Sequence, residues 1–527
     1  MYNDDIMKEK LSVAFLWHMH QPLYKDLLTG EYHLPWVRLH ATHSYLDMAR
    51  ILEDFPLIKC TFNLTPTLIS QIMDISDMRP ENDKYLRLSM KDAATLTADE
   101  KYFILRNFFS RDPGVVAPIS KRYGQLLLKR GNNADTSRLR GILNEFNESD
   151  FRDIQVLFNL LWCGFTLRNE DPLIRVLFEK GEGFTENEKK ALIRRQKEAA
   201  LDVLPLYKKL QDEGQIEIST TPFYHPILPL LYGRDNETGF QWKEDARWHI
   251  KKAVEFYKEI FGRAPAGMWP AEGSVNNEVV PLFAENGIKW IASDENVLLD
   301  SLKNTSGEKS GLKFNAYTAG KIIGQVAMVF RDRGLSDAIS FQFRDMTGEE
   351  AARDLHGRLG QIRKSDAKNN FVAIILDGEN PWIYYKDGGR AFLSELYRLL
   401  GDDNEIETVT IGDYVAEHKT GGNIKDLAPG SWIDREFSKW RGSPEKDKAW
   451  KYLEKAREDI FAFGDPPIEA MEELYIAESS DWFWWYDDPE TEYNVVFDDI
   501  FRMHIANIYK LIGAKVPGYV GRSIRKG

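Results

Sequence analysis

The sequence has few of the features that mark several large classes of protein. Only two of its 527 residues are cysteine, Cys60 and Cys163, and both stand among apolar residues. This excludes a disulfide framework and a cysteine-based zinc cluster, and it fits a reducing compartment. An excess of positive charge is missing as well, because 69 Lys and Arg residues stand against 82 Asp and Glu residues. The formal net charge of −13 argues against nucleic acid or an anionic membrane as a partner.

The chain has no long hydrophobic run. The apolar stretch near the N-terminus is followed at once by His18, so it predicts neither a signal peptide nor a membrane span, and we expect a cytoplasmic protein. A Gly-x-Ser-x-Gly elbow, a Walker loop and a Rossmann glycine fingerprint are all missing, which argues against serine-hydrolase and nucleotide chemistry. Aromatic residues, in contrast, make up 12% of the chain and include 14 tryptophans, so they need a use.

Seven apolar stretches predict β-strands, and most are separated by segments with helical periodicity. The clearest is Phe371–Asp377, whose uninterrupted apolar residues are typical of a parallel strand buried on both faces. Strands that alternate with helices predict a wound parallel sheet or a barrel. The predicted strands lie at about residues 11–17, 56–66, 215–221, 266–270, 289–294, 326–332 and 371–377.

Two regions depart from this alternation. Residues 79–213, approximately, combine 3.6-residue apolar periodicity with Lys, Arg and Glu, which predicts a helical insertion. The pattern shifts again after about residue 400, so we expect an α/β domain in residues 1–400 and a mainly helical domain in residues 401–527.

Polar side chains follow the predicted strands. Six of the seven strands end in His, Glu, Asp or Arg, whereas turns by themselves prefer Gly, Asn and Pro. The carboxyl ends of parallel strands share one face, where α/β proteins bind ligands. Asp377 and Glu379 stand there beside Trp382, a mixture that suits a sugar. Glu217 is costly to bury inside its apolar strand unless it is paired or used.

Two further groups have alternative interpretations. His18 and His20 share one face of a strand, so they could ligate a metal or donate hydrogen bonds to a substrate. The aromatic run after Asp481 would form an exposed hydrophobic patch if it were on the surface. If it were buried, its indole N–H groups would need hydrogen-bond acceptors. A sugar-facing wall meets both demands, and packing at a domain interface is the alternative. Two carboxylates at different strand ends suit the cleavage of a glycosidic bond.

Five stretches resemble the signature regions of glycoside hydrolase family 57, in the order in which that family has them. This resemblance implies an incomplete (β/α)7 barrel, followed by a helical domain that completes the active site. It also implies a retaining enzyme that acts on α-glucans or malto-oligosaccharides without a cofactor or a catalytic metal. The stretches are His18-Met-His20-Gln21-Pro22, Gly214-Gln215-Ile-Glu217-Ile, Trp269-Pro-Ala-Glu272-Gly-Ser, Asp377-Gly-Glu379-Asn-Pro-Trp382 and Ser480-Asp481-Trp482-Phe-Trp-Trp485-Tyr.

The resemblance assigns roles to individual residues. Glu272 would be the nucleophile, and Asp377 would act first as general acid and then as general base. Retention places two such carboxyl groups about 5–5.5 Å apart. The implied substrate-binding residues are His18, His20, Glu217, Trp269, Glu379, Trp382, Asp481, Trp482 and Trp485.

Several activities remain open. The last motif resembles the α-amylase and amylopullulanase branch, with α-1,4 and possibly α-1,6 linkages as targets. A 4-α-glucanotransferase or a branching enzyme would share the fold. The alternatives from other classes are a non-catalytic glucan-binding protein and a metal-dependent deacetylase or mannosidase-like enzyme that uses His18 and His20.

Overall fold

The structure is a computed structural model that describes residues 10–131, 135–233, 239–302, 317–319, 326–365, 371–418, 422–433, 435–489 and 492–525. Its strands are β1 (Leu11–Met19), β2 (Cys60–Leu64), β3 (Ile216–Ser219), β4 (Gly267–Met268), β5 (Trp290–Asp294), β6 (Tyr317–Ala319), β7 (Val326–Arg331), β8 (Phe371–Asp377), β9 (Ile406–Thr408) and β10 (Asn423–Ile424).

Seven of these strands form a parallel barrel that is nearly closed, which confirms the predicted fold class. They lie side by side in the order β4–β5–β7–β8–β1–β2–β3, and every neighbouring pair is parallel. A bridge between Thr220 and Met268 joins the ends of β3 and β4. The seam between β7 and β8 is thin, with Arg331 opposite Ala373. All seven predicted strands are present where the sequence places them.

Three short strands were not predicted. β9 pairs with the first residues of β1, β6 runs antiparallel to β7, and β10 lies beside β6. Each has only two or three residues, which is too short to show a periodicity in the sequence.

Helices cover the barrel and fill the two additional regions. The first part of the chain has α1 (Trp36–His40), α2 (Leu46–Arg50) and α3 (Pro66–Asp74). The region of the expected insertion contains α4 (Lys84–Met90), α5 (Ala98–Asn107), α6 (Pro113–Val116), α7 (Lys121–Arg130), α8 (Thr136–Gly141), α9 (Glu148–Leu160), α10 (Phe165–Glu170), α11 (Pro172–Lys180), α12 (Glu186–Leu201) and α13 (Val203–Asp212).

The remaining helices alternate with the later strands and then form the C-terminal region. They are α14 (Leu228–Leu231), α15 (Lys243–Phe261), α16 (Val280–Glu285), α17 (Glu295–Ser301), α18 (Arg333–Asp337), α19 (Gly348–Ser365), α20 (Arg390–Asp402), α21 (Ile411–Glu417), α22 (Pro444–Ala462), α23 (Ile468–Ala477), α24 (Ser480–Trp484) and α25 (Glu492–Leu511).

The C-terminal helices return to the barrel. Asn507 on α25 donates a hydrogen bond to Asp26, which follows β1, and an isolated bridge pairs Ser479 with Pro226 after β3. These contacts bring the residues around α24 to the carboxyl ends of the barrel strands. Among the described residues, no helix combines the length and apolar character that crossing a membrane requires.

Candidate active site

A cavity of about 210 Å³ lies at the carboxyl ends of β1 and β8, beneath α24. The barrel supplies one side of the cavity, and the C-terminal region supplies the other. Its lining residues are His18, His20, Glu272, Asp377, Glu379, Asn380, Trp432, Asp481, Trp484 and Trp485.

The last residues of β1 carry the two histidines. His18 lies in register with Asn63 on β2 and with Asp377 on β8, and its Nδ1 hydrogen-bonds to Asn63 Oδ1 at 2.7 Å. Burial lowers the pKa of His18 to about 3, with a further contribution from the charge of His20. His18 is therefore neutral, and Asn63 holds its ring in place.

His20 reaches across the cavity to the C-terminal region. Its Nε2 lies 2.9 Å from both carboxylate oxygens of Asp481. Burial acts to lower the pKa of His20, but the charge and hydrogen bond of Asp481, together with Glu272 and Asp377, outweigh it and raise that pKa. His20 thus supplies positive charge among acidic groups.

Glu272 sits in a strained turn directly after β4. Its φ of 57° places it in the left-handed region, which costs a residue with a side chain about 1–2 kcal/mol. The Trp432 indole N–H donates to Glu272 Oε2 at 2.7 Å, and the Ser480 hydroxyl donates to Oε1 at 3.5 Å. Burial raises the pKa of Glu272 to about 8, against the Trp432 hydrogen bond and with help from Asp481 and Asp377.

Asp377 ends β8 and Glu379 lies two residues beyond it, and both residues line the cavity. Asp377 accepts one hydrogen bond, from Asn380 at 3.1 Å, and burial raises its pKa. Glu379 is buried and accepts the backbone N–H of His20 at 3.1 Å. Burial and the nearby charge of Asp377 raise the pKa of Glu379 well above its ordinary value, and its hydrogen bond from the His20 backbone holds the loop after β1.

His225, which was not among the predicted site residues, joins His18 and His20 in a stack. Nitrogen atoms of the three rings lie within 4.8 Å of one another, so a shared metal ion has to be considered. His20 and His225 stack at 3.9 Å with 22° between their planes. A metal lies in the plane of each imidazole that binds it, and planes so arranged do not meet near the rings. This geometry favours hydrogen bonding over metal binding.

Three of the tryptophans that the resemblance predicts to stack on substrate are buried and lie outside the cavity lining. Trp382 and Trp482 are each 1% exposed, and their indole N–H groups donate to the backbone oxygens of Gly378 and Ile476. Trp269 has no exposed surface and packs behind His18. None of the three rings presents a face to the cavity.

Glu217, which the resemblance also predicts to bind substrate, lies outside the lining of this cavity. It is the second residue of β3 and therefore near the amino end of the barrel. It accepts hydrogen bonds from Trp290 Nε1 and Gly412 N, each at 2.8 Å, and from the Thr61 hydroxyl at 3.3 Å. The carboxylate thus joins β2, β3, β5 and α21 at the end of the barrel opposite to Glu272.

Four residues of the site were not predicted from the sequence: Trp432, Trp484, His225 and Ser480. Trp484 had a detectable signal, because positions 481, 484 and 485 share one face of a helical turn. That face lines the cavity with partly exposed rings of Trp484 and Trp485, while the other aromatic residues of the run are buried. Trp432 gave no local signal, since a long-range bridge between Val275 and Gly430 brings its segment to Glu272.

Comparisons with known proteins place the chain in a family. The model for glycosyl hydrolase family 57 matches residues 14–425. An α-amylase of Pyrococcus abyssi is 25% identical over 49% of the chain and 36% of its own length. Alpha-amylase 1 of Dictyoglomus thermophilum is 33% identical over 17% of the chain and 11% of its own length. The chain thus aligns with well under two thirds of these curated relatives.

Solved structures share the fold. A family 57 branching enzyme of Thermococcus kodakaraensis has a TM-score of 0.63 at 16% identity, with 95% of this chain and 90% of that chain covered. The α-amylase AmyC of Thermotoga maritima has a TM-score of 0.58 at 14% identity, with 96% and 93% covered. The family match over most of the chain is decisive: this protein belongs to glycosyl hydrolase family 57.

Proposed function

We propose that the protein cleaves α-glucans with retention of configuration, with Glu272 as nucleophile and Asp377 as general acid and base. The observation that carries the proposal is a pair of partly buried carboxyl groups that line one cavity in different hydrogen-bonding environments. Glu272 accepts from an indole N–H and a hydroxyl, whereas Asp377 accepts from one amide. Such unequal surroundings separate the roles of two acids.

In the first step, Glu272 attacks the anomeric carbon, and Asp377 gives its proton to the departing glycosidic oxygen. A glycosyl-enzyme ester forms while the leaving sugar departs as an alcohol. Attack requires ionised Glu272, and the Trp432 N–H favours that form because it donates to the carboxylate. Burial raises the pKa of both carboxyl groups, so the roles are separated by the indole N–H that donates to Glu272 and has no counterpart among the hydrogen bonds of Asp377.

In the second step, ionised Asp377 takes a proton from an acceptor, which attacks the ester and releases Glu272. Water as the acceptor gives hydrolysis, and a sugar hydroxyl gives transfer. Relatives named α-amylase and a relative named 1,4-alpha-glucan branching enzyme both align with the chain. The experiment therefore has to distinguish water from a sugar hydroxyl as the acceptor.

Substrate binding is assigned to the remaining cavity residues. The His20–Asp481 pair offers charged hydrogen-bonding groups to sugar hydroxyls, and the rings of Trp484 and Trp485 offer apolar faces. His18 lies within the same lining, with Asn63 occupying its Nδ1 and Nε2 left for a ligand.

The test is product analysis of maltoheptaose over time, with Glu272→Gln and Asp377→Asn measured beside the unmodified protein. We expect malto-oligosaccharides, with both variants folded but nearly inactive. Shorter products with new reducing ends indicate hydrolysis, and longer products without a gain in reducing ends indicate transfer. Full activity in either variant would refute its assigned role. Absence of any product from maltoheptaose and from branched glucans would refute the enzymatic function.

A further inference from the structure

One buried histidine, His249 on α15, contacts both of the segments that bring polar groups to Glu272. Its side chain has no exposed surface. Its Nε2 lies 2.8 Å from Glu478 Oε2, and its Nδ1 accepts the Tyr224 backbone N–H at 3.4 Å. Its backbone oxygen also accepts the Phe223 N–H at 3.0 Å. A single residue therefore holds two stretches of chain that are far apart in sequence.

The first of these stretches carries His225 in a strained conformation. The φ of His225 is 58°, in the left-handed region that residues with a side chain rarely adopt. Such strain persists only where the surroundings determine the backbone. His249 supplies that constraint, because it accepts the N–H groups of Phe223 and Tyr224, the two residues directly before His225.

The second stretch begins at Glu478 and leads into Ser480 and Asp481. The Ser480 N–H donates to the His225 carbonyl at 3.0 Å, and the Ser480 hydroxyl lies 2.9 Å from His225 Nδ1. Ser480 Oγ in turn lies 3.5 Å from Glu272 Oε1, and His225 Nδ1 lies 4.0 Å from the same oxygen. Any shift of either stretch thus alters the groups around Glu272.

The protonation of His249 supports a geometric role rather than a role as a charge. Since Nδ1 accepts from Tyr224, the proton of the neutral ring is on Nε2 and is donated to Glu478. Burial lowers the pKa of His249 to about 3, and burial together with Asp245 raises the pKa of Glu478 well above its ordinary value. The His249 ring therefore stays neutral, with the same donor and acceptor nitrogens, across the neutral range.

We propose that His249 is a positioning residue, which fixes His225 and the Ser480–Asp481 segment against Glu272 without touching the substrate. The inference rests on the proposed function, in which Glu272 is the nucleophile. Its energetic basis is the two side-chain hydrogen bonds of His249, one to each stretch.

The variants that test this are His249→Phe, which keeps a ring but loses both nitrogens, and His249→Gln, whose amide N–H can still donate to Glu478. We expect His249→Phe to lower kcat on maltoheptaose about tenfold or more, because both side-chain hydrogen bonds that hold the groups around Glu272 are lost and small displacements of such groups slow catalysis. His249→Gln should recover part of kcat. If His249→Phe does not fold, a wild-type kcat in His249→Gln, which loses the Tyr224 contact, would contradict the proposal.

A double-mutant cycle separates positioning from general destabilisation. Ser480→Ala should cost less in the His249→Phe background than in the unmodified protein, because His249 acts through Ser480. Fully additive losses would overturn the proposal. His356→Phe is the control, because His356 Nε2 also lies 2.8 Å from a carboxylate, that of Asp403, which leads into β9 beside the first residues of β1, at the opposite end of the barrel. It should lower thermal stability while kcat stays unchanged.

A crystal structure of His249→Phe provides a readout that needs no activity. We expect the Ser480–His225 hydrogen bonds to lengthen or His225 to leave its left-handed conformation. Unchanged placement of both residues would overturn the positioning role, whatever the protein does to glucans. A wild-type kcat in His249→Phe would also overturn it while the proposed function stands. An unmodified protein that is inactive on glucans would refute the function alone, and the crystal structure would then decide the inference.

Discussion

Replacement of Trp432 by phenylalanine should move the acid limb of the activity profile to higher pH. The Trp432 N–H donates to Glu272 Oε2 at 2.7 Å, and a hydrogen bond to a charged group contributes about 1.5–3 kcal/mol. At about 1.4 kcal/mol per unit, its loss raises the pKa of Glu272 by roughly 1–2 units. That pKa is already raised to about 8 by burial, so ionised Glu272 becomes scarcer at neutral pH.

The expected effect is a fall of kcat/KM by about tenfold to a hundredfold at neutral pH. A further rise in pH does not restore the full rate, because it also ionises Asp377, the general acid. The sign follows from the mechanism, because Glu272 must be ionised to attack and each rise in its pKa removes ionised nucleophile. Initial rates on maltoheptaose across a pH series measure the shift. A reduced rate with an unmoved acid limb would refute the reasoning.

Trp290→Phe is the matched control for this experiment. It removes an indole N–H that donates at 2.8 Å to another carboxylate, Glu217, at the opposite end of the barrel. We expect reduced thermal stability and an unshifted activity profile. A shift in both variants would mean that the profile reports stability rather than the ionisation of Glu272.

Three further outcomes follow from the structure. Burial raises the pKa of Glu217 from 4.5 to about 7, so the free energy of unfolding should fall by up to about 3 kcal/mol as pH rises through this interval. In Glu217→Gln, the melting temperature should not fall as pH rises from 4.5 to about 7, and the enzyme should stay active. Asp481→Asn should lower the pKa of His20 and raise KM for maltoheptaose, and an unchanged KM would argue against a binding role. Trp382→Phe should lower the melting temperature and leave KM unchanged, because it removes the hydrogen bond from the indole to the Gly378 carbonyl. A raised KM would instead show that Trp382 contacts the substrate.

The barrel could be predicted from sequence because its strands are buried on both faces. Every residue of β1 is buried, and so are Phe371–Leu376 of β8, so these strands appear as uninterrupted apolar runs that need no knowledge of their neighbours. The position of a polar residue along a strand was harder to judge. Glu217 was assigned to the site because a carboxylate in an apolar strand needs a use, but its use is to accept hydrogen bonds at the barrel's amino end.

The parts of the site that come from distant segments could not be predicted in the same way. Asp377 stands at the end of a strand, where local pattern indicates its position. Trp432 reaches Glu272 only because the chain returns to the barrel after α21, and no local pattern marks that return. The aromatic run around Trp482 was recognised as important, but its division into cavity-lining and buried rings depends on a helical turn that is five residues long.

The central claim is that Glu272 forms a covalent bond with the sugar. The most direct test is to incubate the protein with a fluoroglucosyl fluoride and to locate the label by peptide mass spectrometry. The fluorine on the sugar ring slows both chemical steps, and the anomeric fluoride leaves without acid assistance, so the covalent intermediate accumulates. We expect one fluoroglucosyl group on Glu272 and no label in Glu272→Gln. A label on Asp377 or Asp481, or an unlabelled protein that releases product of inverted configuration, would contradict it.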